Sequence, residues 1–325
     1  MDDKSRPLHI TVLAGGISAE RDISLLSGNQ IAAALQRRGH QVTLADIAPD
    51  DLSALEHRPC DLIFPALHGL FGEDGALQEI LERRGIPFVG SGSVASRLAM
   101  DKIDTKIALA AHGLPTPAWQ TVQALPAETW TPDARIGLPC VIKPVAEGSS
   151  VGCRICRDAE EARAHLQRTL PRYGRMLVEK LIEGLELTVG VLDGAALPAI
   201  HIHPRADFYD YNAKYVRADT EYHFAIDLPA AVLETVRDLA LRTYQVVAAR
   251  HLARVDVMVD RRTLEPFILE INTLPGFTSH SLVPKAAAHA GVPFDELCDR
   301  LARMALANGY PASPRPGGPS RKQRR

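Results

Sequence analysis

Strand and helix signals alternate through the first ninety residues, and this alternation restricts the chain's fold more than any other feature. HITVLA (9–14) is a short apolar run with the length of a buried strand, followed by Gly15 and Gly16. Residues 22–38 place Ile23, Leu26, Ile31, Ala34 and Leu35 on one side of a helix that Gly39 ends. QVTLADI (41–47), CDLIFPAL (60–67) and IPFVG (86–90) read as further strands, with a second helix over 75–84 stopped by Gly85. Strands separated by helices build a parallel sheet rather than hairpins, and ligands collect at the carboxyl ends of its strands.

The pattern then changes. Ser93 is placed to cap one helix running to about Ala111, ended by Gly113 and Pro115. Strands follow at 117–122, 139–145, 151–155 and 176–181, with one helix at 158–170. LELTVGVL and ALPAIHIH form a hairpin around Asp193-Gly194. A polar, Tyr-rich loop occupies 204–222, and a long helix about 230–250. RVDVMVD (254–260) and EPFILEI (265–271) make a second hairpin, and helices close the chain at about 282–290 and 294–308. The tail 311–325 is rich in Pro, Gly, Ser and positive charge, the composition of a solvated end.

Composition narrows the class. A length of 325 residues implies two or three domains, and 46% apolar with 23% charged residues is globular. A net charge of -2 supplies no field toward nucleic acid or membrane. No apolar run approaches the ~20 residues of a membrane span. The first residues lack the features of a secretory signal, so the cytoplasm is the expected location. Five scattered cysteines suit a reducing compartment, and Cys153 and Cys156 are read as structural, on opposite faces of one strand.

Three patterns carry chemistry. Arg254 and Asp256 share one face of a strand, and Glu270 and Asn272 share one face of the next. If even positions pair with even, the four converge. Two carboxylates and an amide oxygen are hard ligands suited to Mg²⁺, and an arginine beside them suits a phosphoryl or oxyanion group. The same alternation also fits an ordinary salt-bridged hairpin, with Val255, Val257 and Val259 facing the core. The second pattern is Glu147-Gly148-Ser149-Ser150-Val151-Gly152, a small-residue loop whose backbone N–H groups can wrap phosphate, with Lys143 on the strand before it. A plain Gly/Ser turn explains it too. It is neither a Walker A loop nor a dinucleotide fingerprint. The chain has only eight lysines, and Lys102, Lys143, Lys180 and Lys214 all fall in candidate sites. The third pattern is Gly15 to Arg21 at a strand–helix junction, where Glu20 can hold an amine. His68 ends a strand of the open sheet.

Together LAGGISAERDISLLSG, ALHGLFGEDGALQ, GSGSVASRLAMDK, VIKPVAEGSSVG, FYDYNAKY, RVDVMVD and EINTLPGFTSHSLVPKAA resemble the D-alanine–D-alanine ligases of the ATP-grasp superfamily. The resemblance runs from about residue 8 to 308. It implies an N-terminal open parallel α/β domain (1–95), then a two-part ATP-grasp fold of mixed α/β and α+β character. The parts are a central subdomain (96–184) and a C-terminal subdomain (185–310) with a lid at about 204–220, leaving 311–325 as a disordered tail. It implies ATP, two Mg²⁺ ions with Mn²⁺ as a substitute, D-alanine as substrate, and a homodimer. The reaction joins two D-alanines through a D-alanyl phosphate for peptidoglycan precursors.

Carried over by residue, the resemblance places Glu20 on the ammonium of the first D-alanine, with His68 nearby. Lys102 and Lys143 meet the phosphates. Glu179, Lys180 and Ile182 hold the adenine edge and Glu186 the ribose, with Phe208 and Lys214 also on the nucleotide. Tyr215 bonds Ser149 from the lid. Asp256, Glu270 and Asn272 hold the metal. Arg254 and the Gly276 N–H form the oxyanion site, and Ser281 and Leu282 receive the second D-alanine. Related ligases making D-alanyl-D-lactate or D-alanyl-D-serine, and a nucleotide-binding module without catalysis, are the competing readings. The depsipeptide ligases replace the lid tyrosine by phenylalanine, whereas Tyr215 is present here.

Overall fold

A computed structural model describes residues 6–203 and 220–307. The first layer is a three-stranded parallel sheet, β1 (His9–Ala14), β2 (Gln41–Asp46) and β3 (Leu62–Pro65), in the order β2-β1-β3. Helix α1 (Arg21–Arg37) makes the β1–β2 crossover and buries Ile31, Ala34 and Leu35 against the sheet. Helix α2 (Ala76–Arg84) follows β3. The strand expected at 86–90 is only a single parallel bridge, Ile63 with Phe88. Pro87 has no N–H to donate, and Gly90 turns away at φ 105°, so a ladder cannot extend.

The helix expected from Ser93 is two helices, α3 (Ser93–Met100) and α4 (Lys102–Ala111). Asp101 divides them with an extended backbone, and its carboxylate accepts from the amides of Ile103 and Asp104 at 2.9 and 3.0 Å. It is an N-cap for α4. Ser93 is not a cap: its amide and hydroxyl both donate to Glu82.

The second sheet is antiparallel, β4 (Trp119–Val122), β5 (Cys140–Pro144), β6 (Arg154–Cys156) and β7 (Met176–Lys180), in the order β4-β7-β5-β6. Helix α5 (Ala159–Tyr173) covers it, capped by Asp158. Pairing expected from residue 151 begins only at Arg154. Ser149, Ser150 and Gly152 have φ of 52°, 56° and 70°, which turns the chain before it can extend. Cys153 therefore lies outside the strand, while Cys156 is buried opposite Cys140.

The third sheet is also antiparallel. β8 (Gly184–Leu192), β9 (Ala195–Ala196), β10 (Ile200–His203), β11 (Glu221–His223), β12 (Leu252–Asp260) and β13 (Pro266–Asn272) run in the order β11-β10-β8-β12-β13, with β9 on β8. Helix α6 (Ala230–Val246) packs on one face. It stops short of the expected residue 250 because Ala248 adopts a left-handed φ of 55°. Val255, Val257 and Val259 are buried in the cluster shared with α6. Alternation then places Arg254, Asp256 and Met258 on the opposite face. Helices α7 (Leu282–His289) and α8 (Phe294–Ala307) end the described chain. α8 returns to the end of α1 and the turn after it, where Arg37 pairs with Asp295 and His40 with Asp299. Among the described residues no helix is long and apolar enough to cross a membrane.

Candidate active site between the two antiparallel sheets

A cleft of about 540 Å³ lies between the second and third sheets, a volume suited to a nucleotide-sized ligand. Its lining includes Lys102, Lys143, Ser149, Glu179, Lys180, Ile182, Glu186, Asp256 and Glu270. Those residues come from seven separate stretches of chain.

The phosphate side is built by two lysines and the small-residue loop. Lys102 opens α4, so the Asp101 cap fixes its backbone; its ammonium donates to the Glu147 carbonyl at 2.6 Å and lies 3.5 Å from Glu270 Oε2. Lys143 projects from β5 and lies 2.5 Å from Glu179 Oε1. Burial opposes its charge, but Glu179 and Glu270 outweigh that and its pKa is raised. Two successive serines in the left-handed region cost on the order of 1–3 kcal/mol each, strain that survives where surrounding contacts require it.

The cation side follows from register. Arg254 pairs with Asn272, and Asp256 with Glu270, so even positions do oppose even. The register shifts immediately afterwards, with Val257 opposite Ile268 and Leu269 unpaired in a bulge. Asp256, itself 7% exposed, accepts two bonds from Arg254 at 2.9 and 2.7 Å and one from Thr188 Oγ1 at 2.6 Å. Asn272 Oδ1 accepts from the Leu274 amide. Among the described residues no three His, Cys, Asp or Glu side chains close around one point. The corner instead offers two carboxylates and an amide oxygen on neighbouring strands, a hard-oxygen set that fits Mg²⁺ sharing its shell with phosphates and water.

The amino-acid side lies where the first sheet meets the cleft. Glu20 is the N-cap residue of α1, yet its side chain does not cap the helix. Its Oε1 accepts from Ser149 Oγ at 2.6 Å, which joins residues 129 apart in sequence. Gly69 lies against it, since a Cβ there would sit 3.9 Å from Glu20 Oε2. His68 is buried, its Nδ1 3.1 Å from Glu73 and its Nε2 without a hydrogen-bond partner among the described residues. Gly276 faces Ser281, whose hydroxyl would be 3.3 Å from an added Cβ. Ser281 Oγ accepts from the Thr278 amide, and Leu282 opens α7. His68, Arg254, Asn272, Gly276, Ser281 and Leu282 do not line the main cleft. Glu20 reaches its edge through Ser149. Phe208, Lys214 and Tyr215 lie outside the described residues.

Sequence reasoning missed Thr188 and Met258, which face Asp256 and Glu186 across β8 and β12. Met258 was within reach of the period-two argument, two residues beyond Asp256. Thr188 was not, because its role depends on which strand lies beside β12.

Two antiparallel sheets closing on a cleft with two lysines, a small-residue loop and a carboxylate pair define an ATP-grasp enzyme. The model of the family described as D-ala D-ala ligase C-terminus matches residues 108–303, and that of D-ala D-ala ligase N-terminus matches residues 50–91. The D-alanine–D-alanine ligase of Gloeobacter violaceus is 42% identical over 304 residues, covering 92% of this chain and all of that protein. That of Syntrophotalea carbinolica is 43% identical over 293 residues, covering 90% and 94%. The Bacillus anthracis D-alanine–D-alanine ligase complexed with ATP superposes with a TM-score of 0.80 at 32% identity, covering 93% of this chain and 98% of that one. The Coxiella burnetii ligase gives 0.79 at 27%, covering 93% and 95%. The chain belongs to the D-alanine–D-alanine ligase family.

Proposed function

We propose that this enzyme joins two D-alanines to D-alanyl-D-alanine for peptidoglycan precursors, using ATP and passing through D-alanyl phosphate. The observation that carries the reading is the Ser149–Glu20 contact. It ties the phosphate-side loop to the carboxylate that would take an amino-acid ammonium, so the two substrates meet there.

In this reading Glu20 pairs with the ammonium of the first D-alanine and aims its carboxylate at the γ-phosphate. Lys102 and Lys143 hold the phosphates, Glu179 with the Lys180–Ile182 backbone holds the adenine, and Glu186 the ribose. A carboxylate oxygen attacks the γ-phosphorus and ADP leaves. The deprotonated amine of the second D-alanine, seated by Ser281 and Leu282, attacks the acyl carbon. Arg254, locked by its two bonds to Asp256, and the Gly276 N–H face the resulting oxyanion. The tetrahedral adduct collapses, the C–N bond remains, and inorganic phosphate departs. Asp256, Glu270 and Asn272 would hold two Mg²⁺, or Mn²⁺, which supply neutralisation of the transferring phosphoryl charge. Phe208, Lys214 and Tyr215 are assigned to the lid at about 204–220, with Tyr215 toward Ser149.

The three sheets support domain limits of 1–95, 96–184 and 185–310. We further assign a homodimer: on the first layer α1 exposes Leu26 and the edge strand β2 exposes Leu44. The five free thiols and the need for ATP support a cytoplasmic location. The decisive assay is ATP-dependent phosphate release with D-alanine, L-alanine, D-serine and D-lactate. Release with D-alanine alone, and dipeptide as product, is expected; release independent of D-alanine would overturn the assignment. Sedimentation of the purified chain tests the dimer separately.

A further inference from the structure

We propose that Lys106, a residue outside the cleft lining, is a positioning residue that fixes Glu179 as the acceptor selecting adenine. The inference rests on the reading of Glu179 as the adenine-edge residue.

Lys106 sits one turn beyond Lys102 on α4 and is fully buried. An unpaired ammonium at such a position would be prohibitively costly, so its partners define its role. It donates to Thr116 Oγ1 at 2.7 Å and to the Pro117 carbonyl at 3.1 Å. Thr116 in turn donates to the Ile268 carbonyl of β13 at 2.8 Å, which anchors this corner to the third sheet. The ring of Trp119 lies 5.3 Å from the ammonium. The remaining charge contact is Glu179 Oε2, at 2.9 Å.

Glu179 therefore has two cations, one on each oxygen. Lys143 holds Oε1 and Lys106 lies by Oε2. The two are not equivalent. Lys143 lines the cleft with 12% of its side chain exposed, whereas Lys106 is at 1% and lines nothing. A triphosphate entering the cleft draws Lys143 toward its charge. Lys106 cannot follow, because its other protons are committed to Thr116 and Pro117. It stays as the counter-charge that keeps Glu179 anionic after Lys143 turns away. Burial opposes ionisation of Glu179, but the two lysines outweigh it and its pKa is lowered.

Geometry gives this charge a use. Glu179 Oε2 is buried 2.9 Å from the Lys106 ammonium, whose other protons go to Thr116 and Pro117, and that contact uses only one of its two lone pairs. A fixed anionic oxygen with an unused lone pair accepts a hydrogen bond from the 6-amino group of a purine. A 6-oxo purine brings an acceptor to the same place and is rejected, the discrimination expected of a buried polar site. Lys106 thus acts on base selection through Glu179 and touches no substrate.

The test is steady-state kinetics with ATP and ITP at saturating D-alanine, on wild type, Lys106→Met and Lys106→Arg, with thermal melting of each. Wild type should strongly prefer ATP. Lys106→Met should raise KM for ATP about tenfold, leave kcat within about threefold, and shrink the ATP-over-ITP ratio of kcat/KM about tenfold. Lys106→Arg should restore most of the ratio. A Lys106→Met enzyme that melts lower but keeps the wild-type KM and base ratio would overturn the proposal, since a purely structural lysine predicts that result. If Lys106→Met does not fold, Thr116→Val replaces it, loosening the lysine without removing its charge; the same shifts, smaller, are expected, and an unchanged base ratio overturns the proposal. Equal use of ATP and ITP by wild type would instead remove the underlying reading of Glu179, an outcome visible without any variant.

Discussion

At the scale of single residues, the site runs on a few charges whose partners are fixed by strand register. Glu270 faces Asp256 and lies 3.5 Å from Lys102, so it is positioned to balance a phosphate-side cation whether or not metal is bound. Glu270→Gln keeps the shape and removes the charge. Activity should fall at least a hundredfold while circular dichroism and melting stay close to wild type, and the Mg²⁺ concentration for half-maximal rate should rise. An unchanged Mg²⁺ dependence would show that Glu270 is only a structural partner of Lys102. Tyr215 is a second case, argued from Ser149 and Glu20. The Ser149 hydroxyl donates to Glu20, and in the proposed closed site it also accepts from the Tyr215 phenol. Losing that phenol costs about 1–3 kcal/mol in a dry site, enough to move selectivity about tenfold or more. Tyr215→Phe should therefore gain D-alanyl-D-lactate synthesis, most visible at low pH where the amine of D-alanine is protonated. Product ratios measured from pH 6 to 9 with both acceptors present check it; dipeptide alone throughout would move the search to Ser281 and Leu282.

Among the elements, the break between α3 and α4 matters most. A continuous helix through residue 101 would turn Lys102 to a different side of the chain. Asp101 prevents it by capping α4 with two amide bonds and pairing with Arg175 at 2.5 Å. Asp101→Ala should cost about 1 kcal/mol of stability in urea unfolding. Because Lys102 is the first residue of α4, it should also raise KM for ATP severalfold without a matching fall in kcat. A stability loss with KM unchanged would mean that α4 holds Lys102 without its cap. The bulge at Leu269 works similarly on the other sheet, ending the even–even register just past Asp256 and Glu270.

For the whole molecule, the N-terminal and C-terminal layers are joined by buried polar contacts as well as by apolar packing. His251, just before β12, accepts from the Gly90 amide at 3.0 Å across 161 residues, and its Nε2 is buried with no partner among the described residues. Burial first, and Arg250 second, pull its pKa down to about 4. A depressed value means that the fold holds the neutral ring. The associated stability is complete above the unfolded value of about 6.5 and is lost as pH falls from there toward 4. The loss should reach about 3 kcal/mol, the equivalent of some 2.5 pH units. Urea unfolding at pH 7.5, 6, 5 and 4 should show this slope in wild type and a shallower one in His251→Gln. Parallel slopes would place the acid sensitivity elsewhere, for instance at the contact of Asp299 on α8 with His40, in the turn after α1.

How much was readable in advance follows from the range of each interaction. Periodicity is local, so the parallel first layer, the two later hairpins and most helices were legible from apolar spacing alone. The convergence of Arg254, Asp256, Glu270 and Asn272 was legible too, because a short hairpin leaves only two registers and one of them joins the four. Local punctuation was legible only in part. Ser93 resembled a cap, but its side chain pairs with Glu82, and the side-chain cap in this stretch is Asp101, at the start of α4. The strand at 86–90 had the right composition, but Pro87 and Gly90 limited it to one bridge. The sequence by itself determined the residue types that phosphate and carboxylate chemistry need, and their order along the chain. Only the tertiary structure decided which of them meet. Ser149 reaches Glu20, and Lys106 shares Glu179 with Lys143, across separations that no pattern encodes, because those contacts depend on how separate layers dock.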